Sequence, residues 1–168
     1  MDLDPILAKA RSSGRLWKLN FILQRGIPFN RKHNIRVVEL TEDRISAHIP
    51  YANKNLNHIK GIHACGLATV AEFCSGLTLL NKLGSKKYRL IMSTLRVEYH
   101  YQAKQGATAS YSISDEQLKK MILDPLNSND AVQLECEVPV HDDEKNHLCT
   151  AFITWQIKSW DKVKTKVS

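Results

Sequence analysis

The stretch "ACGLATVAEFCSGLTLL" (64–80) runs seventeen residues with a single charge, Glu72. A helix apolar nearly all round has no face to give to water, so it must be buried on nearly every side. A sheet covers one side only, and something else, most simply a second copy of the chain, has to cover another. No window reaches the ~18–20 charge-free apolar residues of a membrane span. The approach to this helix, "NLNHIKGIH" (55–63), is polar, with Asn55, Asn57, His58 and His63 around Gly61.

The flanking segments supply the sheet. Residues 4–25 read as one or two amphipathic helices, opened by Asp4-Pro5, interrupted near Gly14, and stopped by Gly26 and Pro28. "IRVVEL-TED-RISAHIP" (35–50) reads as a β-hairpin, and "KYRLIMSTLRVEYHYQAK" (87–104) as one long strand that Gly106 turns into "ATASYSIS". Ser114 followed by Gln117 makes a capping box, predicting a short helix over 114–127 that ends near Pro125. "AVQLECEVPV" (131–140) and "HLCTAFITWQIKSW" (147–160) alternate and form a second hairpin. The expected fold is α+β: about six mostly antiparallel strands wrapped around one apolar helix. Three stretches follow: an N-terminal helical extension (1–26), the main domain (27–160) and a basic tail (161–168).

The 168 residues carry a net charge of +7, spread over "NRKH" (30–33), "SKKYR" (85–89) and the C-terminus. No Lys/Arg run is interleaved with aromatics, so nucleic-acid binding is not expected; the excess reads as a solvated surface with a basic tail, which would also suit a polyanionic small molecule. Cys65, Cys74, Cys136 and Cys149 have no paired spacing and read as buried free thiols in a reducing compartment, with a cytoplasmic location as the default. His58, His63, Cys65 and Glu72 lack metal-ligand spacing, and no metal is expected. His33, His48, His100, His141 and His147 read as isolated residues. Phosphate-loop, dinucleotide and nucleophile-elbow motifs are missing.

Glu is rarely buried without a partner or a function. His63 and Glu72 are nine residues apart, about 13.5 Å of helical rise, and lie on opposite faces. Two antiparallel helices related by a two-fold axis would place Glu72 of one chain opposite His63 and the first backbone N–H groups of the other. Those N–H groups suit an oxyanion, and a carboxylate facing them can serve as general base or nucleophile.

"N-x5-HAxGLATVAE", with Asn57, His63, Ala64 and Glu72, resembles the signature of PaaI-like hotdog-fold thioesterases. "IPFNRKHNIRVVEL" and "NxNHxxGIHAC" are similar to an uncharacterised branch of that superfamily. The resemblance implies a hotdog fold and hydrolysis of acyl-CoA or a related acyl thioester. CoA enters as part of the substrate, with no separate cofactor, and the assembly is a homodimer or a dimer of dimers. It further implies that Asn57 and His63 orient the carbonyl or the catalytic acid, that the Ala64 N–H is the oxyanion donor, and that Glu72 is base or nucleophile. Well-studied members carry Gly-Gly where this chain has Ala64-Cys65, and the extra methyl narrows the approach to the carbonyl. Ser93 and Thr94 fall where such enzymes place a hydroxyl near the acid, although strand alternation sends only one inward. Lys86, Lys87 and Arg89, or Arg31 and Lys32, are candidates for the carrier's phosphates. The rival reading is a non-catalytic acyl-CoA or lipid-binding dimer built on the same pocket.

Overall fold

A computed structural model describes residues 2–163; most of the expected basic tail lies outside them. Two helices open the chain, α1 (Asp4–Ser13) and α2 (Leu16–Gly26), separated by Gly14 at φ 65°. Pro28 does not only stop α2. Its fixed φ suits a first helical position, and it starts a further short helix, α3 (Pro28–His33), which Asn34 closes in the left-handed region. The hairpin β1 (Arg36–Leu40) and β2 (Arg44–Ile49) follows, then the central helix α4 (Ala64–Leu83). β3 (Tyr88–Tyr99) and β4 (Ala107–Ser112) come next, and β5 (Val132–Asp142) and β6 (His147–Ser159) form the last hairpin. Between β4 and β5, α5 (Asp115–Leu118) starts on the expected capping box of Ser114 and Gln117. The chain then widens through a π-helical turn (Lys119–Leu123) into α6 (Asp124–Leu126). Pro125 lacks an N–H and crowds the preceding turn, so the helix widens before it, and the run ends at Leu126, beside the predicted stop.

All six strands join one antiparallel sheet in the order β1-β2-β4-β5-β6-β3. It wraps around α4, which packs mainly on β2 and β4 and reaches β5, β6 and β3. By length and composition α4 could cross a bilayer, yet Val70, Ala71, Cys74 and Leu79 are fully enclosed by the fold. Each large apolar side chain so buried contributes roughly 1.5–3 kcal/mol.

Helices α1 and α2 belong to the same core through Leu7, Leu19 and Leu23. Asn20 of α2 acts as a short stand-in for a strand: its amide donates to the Val37 carbonyl (2.8 Å) and its oxygen accepts from the Val37 N–H (2.7 Å). That caps the β1 edge of the sheet, a position otherwise open to unwanted pairing. At the other end, the Asp4 carboxylate accepts from both the N–H and the hydroxyl of Ser85, each at 2.8 Å, and pins α1 to the end of α4.

Candidate functional site

The entrance to α4 is organised by Asn55, which is almost fully buried. Its Nδ2 donates to the carbonyls of His33 (3.0 Å) and Pro50 (2.9 Å), its Oδ1 meets Nδ1 of His33 (3.0 Å), and its backbone carbonyl accepts from the His63 N–H (2.8 Å). One amide thus ties α3, the end of β2 and the start of α4 together. His33 is therefore an organised partner and not an isolated residue.

His63 caps α4 with its ring: Nδ1 accepts from the Cys65 N–H at 3.1 Å, which leaves the ring proton on Nε2. Asn57 Oδ1 accepts from the N–H groups of Ile59 and Gly61, both at 3.0 Å, and leaves its Nδ2 free to donate. The Ala64 N–H makes no hydrogen bond among the described residues. Asn57 and Ala64 line one shallow cleft together with Tyr99, whose hydroxyl donates to the Ala64 carbonyl at 2.9 Å. His63 opens onto a neighbouring groove with Cys65 and Thr69. Cys65 is exposed there, while the other three thiols are buried as expected; burial pushes Cys74 and Cys149 up to about 12.

Glu72 lies elsewhere. It opens into a separate, partly open cavity of about 540 Å³ bordered by α2, α3, α4, β3 and β6, with walls that include Leu23, Ile27, Phe73, Leu77 and Trp155. Within one chain the helix therefore separates Glu72 from His63 and Ala64, as the nine-residue spacing requires. Cys65, Thr69 and Glu72 mark a half-open stripe on α4 at i, i+4 and i+7, running from the helix start to the acid.

Burial raises the Glu72 carboxyl above its ordinary value of 4.5, and no neighbouring cation opposes the shift. The folded chain keeps this proton over a pH range where the unfolded chain has lost it, so stability falls as pH climbs from about 4.5 through the raised value. Glu72→Gln removes that titration. The variant's melting temperature is expected to gain on wild type as pH rises from about 4 to about 8; a constant offset would mean that Glu72 is as well solvated folded as unfolded.

The wall beside Glu72 depends on Gly76, one turn along the helix. A Cβ there would lie 2.9 Å from Cζ2 and 3.0 Å from Cη2 of Trp155. The indole cannot swing aside freely, because its Nε1–H donates to the Ser75 hydroxyl at 3.0 Å. Ala would gain up to about 1 kcal/mol of helix propensity, against about 1–3 kcal/mol for overpacking a rigid ring. Gly76→Ala is expected to destabilise by about 1 kcal/mol in urea unfolding; a stabilised variant would show that Trp155 yields.

Of the five cations considered for carrier phosphates, Arg89 alone lines the Glu72 cavity. Lys86 pairs with Asp2 at 2.7 Å, and Lys87, Arg31 and Lys32 are exposed on the surface. Ser93 sits at the register shift of β3 and donates to the Thr154 carbonyl (3.1 Å), and neither it nor Thr94 lines the cavity of its own chain. His100, His141 and His147 are not isolated. Where β5, β6 and the end of β3 meet, the His147 ring stacks on His141 at 5.0 Å and packs at a tilt on His100 at 4.7 Å, and burial lowers His141. Among the described residues no three His, Cys, Asp or Glu side chains converge as a metal-ligand set.

Comparison with known proteins places this architecture. A family model described as "Domain of unknown function (DUF4442)" matches residues 16–157. No curated protein sequence matches. PA5026 of Pseudomonas aeruginosa, a protein of unknown function named "Probable Thioesterase", superposes with a TM-score of 0.78 at 19% identity, over 84% of this chain and 95% of that one. Thioesterase HI1161 of Haemophilus influenzae gives 0.66 at 14% identity, over 86% and 90%. A mutant of thioesterase SAV0944 of Staphylococcus aureus gives 0.63 at 12%, over 78% and 98%. The sheet, the wrapped helix and these likenesses identify a hotdog fold.

Proposed function

This chain belongs to that family of unknown function, and from its hotdog core and the setting of Glu72 we propose that it hydrolyses acyl-CoA or a related acyl thioester. The observation that carries the proposal is the lone carboxylate of α4, held in an apolar cavity with its proton affinity raised. A base poised nearer neutrality takes a proton from water more effectively than an ordinary surface Glu.

The working unit is a homodimer. β3 is twelve residues long, lies at the end of the sheet and has no neighbour on its outer side among the described residues. It exposes Ile91, Met92, Leu95 and Tyr99, a poor edge to leave in water. Two such edges paired about a two-fold axis would also bring the open stripes of two α4 helices together, with the Ala64 end of one chain facing Glu72 of the other.

In that site the Ala64 N–H holds the thioester carbonyl and accepts the charge that develops on its oxygen, while Asn57 Nδ2 and His63 Nε2–H supply further donors. The acyl chain descends into the cavity beside Glu72. Glu72 takes a proton from water as the water oxygen bonds to the carbonyl carbon; the C–S bond then breaks and the thiolate leaves with a proton. Attack by the carboxylate itself, giving an anhydride that water opens, uses the same geometry. The buried free thiols support a reducing, cytoplasmic setting.

The test is release of free CoA from short, medium, long and aryl acyl-CoAs, followed by chromatography because four cysteines would react with a thiol dye. Turnover on at least one class supports the proposal. Tight retention of acyl-CoA by a folded dimer without turnover would replace it with the non-catalytic binding reading.

A further inference from the structure

Seven polar or charged residues are buried among the described residues, and six of them have side-chain partners. Ser46 meets Glu39 and Ser110, Asn55 meets His33 and Pro50, and Ser75 meets Trp155. Thr78 donates to the Cys74 carbonyl, Asp142 accepts from Asn146, and Thr150 meets His147. Asn30 of α3 is the exception. It is 5% exposed, and its side-chain amide makes no hydrogen bond among the described residues.

The amide is not sealed in protein either, since no fully enclosed side-chain N or O atom among the described residues lacks a partner. Asn30 lines the cavity of about 540 Å³ that holds Glu72, as do Leu23, Ile27 and Leu80. Burying an amide without a partner is costly, and a purely hydrocarbon ligand would leave it unmatched when the cavity fills. An amide donates from nitrogen and accepts at oxygen, so a hydroxyl group, which both donates and accepts, can pair with it at either atom.

We propose that Asn30 reads a hydroxyl on the ligand, so that the cavity takes aliphatic hydroxyacyl groups in preference to plain chains of the same length. This rests on the reading of the cavity as the acyl pocket. Leu3, Leu23, Ile27, Leu77 and Leu80 supply an aliphatic part of the lining beside the aromatic Phe73 and Trp155, and the volume of about 540 Å³ lies within the range of small-ligand sites. Asn30 thereby acts as a specificity determinant, apart from the machinery that breaks the thioester. Sites that offer a hydrogen bond to a substrate hydroxyl discriminate against analogues lacking it, because the buried polar group is otherwise stranded.

The test is direct binding of free acids, read by tryptophan fluorescence, since Trp155 and Trp160 both line the cavity. Decanoic acid is compared with its 2-, 3- and 10-hydroxy derivatives on wild type and on Asn30→Leu, an apolar replacement of similar size. Wild type is expected to bind at least one hydroxy acid about tenfold more tightly than decanoic acid, the worth of one good buried hydrogen bond. Asn30→Leu is expected to bring that ratio within about twofold while decanoic acid binds as well or better. Wild-type affinities within about twofold of one another, a preference that survives in Asn30→Leu, or no binding of any acid would each overturn the proposal. The wild-type comparison stands alone if the variant does not fold. Hydrolysis plays no part in the readout, so lack of turnover would remove the hydrolase reading and leave this one intact.

Discussion

Glu72→Gln is expected to lower kcat/KM for acyl-CoA hydrolysis at least about 100-fold while the dimer stays folded. Gln keeps the length of the side chain but neither accepts a proton from water nor attacks carbon. The loss is expected in kcat more than in KM, since the acyl chain still fills the same cavity. Burial without a counter-charge makes ionised Glu72 a liability to the fold, so the inactive variant should equal or exceed wild type in stability near neutral pH. In wild type, kcat/KM should rise with pH through an apparent pKa above 4.5, the ordinary carboxyl value. An active Glu72→Gln protein would place the chemistry on another residue. An inactive but unfolded one would say nothing of catalysis, so circular dichroism and sedimentation must accompany the rates.

The second large effect concerns which chain supplies what. His63→Ala and Glu72→Gln chains are each expected to be nearly inactive alone. Mixed and allowed to exchange, half of the dimers become hybrids, and each hybrid holds one site with intact His63 from one chain and intact Glu72 from the other. Activity should return to about a quarter of wild type. Failure to recover, with exchange proven by mass spectrometry of tagged chains, would mean that one chain builds its own site. His63→Ala also loses the ring that caps α4 at Cys65, so it should lose up to about 1 kcal/mol of stability, too little to unfold the domain.

Much of the architecture is readable along the chain because it is locally periodic. Alternation in 132–142 and 147–159 marks two strands with one buried face, and the burial of those strands follows it. Ser114 and Gln117 announce a helix start within four residues, and both bonds of the box are present. A misreading falls where one residue has two uses: Pro28 ends one helix and opens the next, whereas the helical run after β4 stops at Leu126, beside Pro125, as the sequence predicts. The gathering of His100, His141 and His147 is hidden in the sequence because the registry of β5 on β6 and the return of the chain after β3 decide it.

Within the candidate site the same division holds. Asn57, His63, Ala64 and Glu72 stand out by type and spacing around one helix, and the nine-residue spacing alone puts Glu72 and His63 on opposite faces. Asn30, Asn55, Tyr99 and Trp155 carry no such mark. Each comes from a different element and acquires its role only from what lies across from it. The sequence by itself determined that α4 must be buried and that its one carboxylate would be out of place there, because seventeen residues with a single charge leave a helix no side for water. Tertiary structure decided that β3 ends the sheet with its outer edge free among the described residues, that Glu72 opens into a cavity lined in part by the N-terminal helices, and that Asn30 alone among the buried polar side chains described has no partner. Hydrophobic pattern is a property of neighbours in the chain; whether a strand has an edge, or an amide has a partner, depends on residues far away in sequence that only the packed fold brings near.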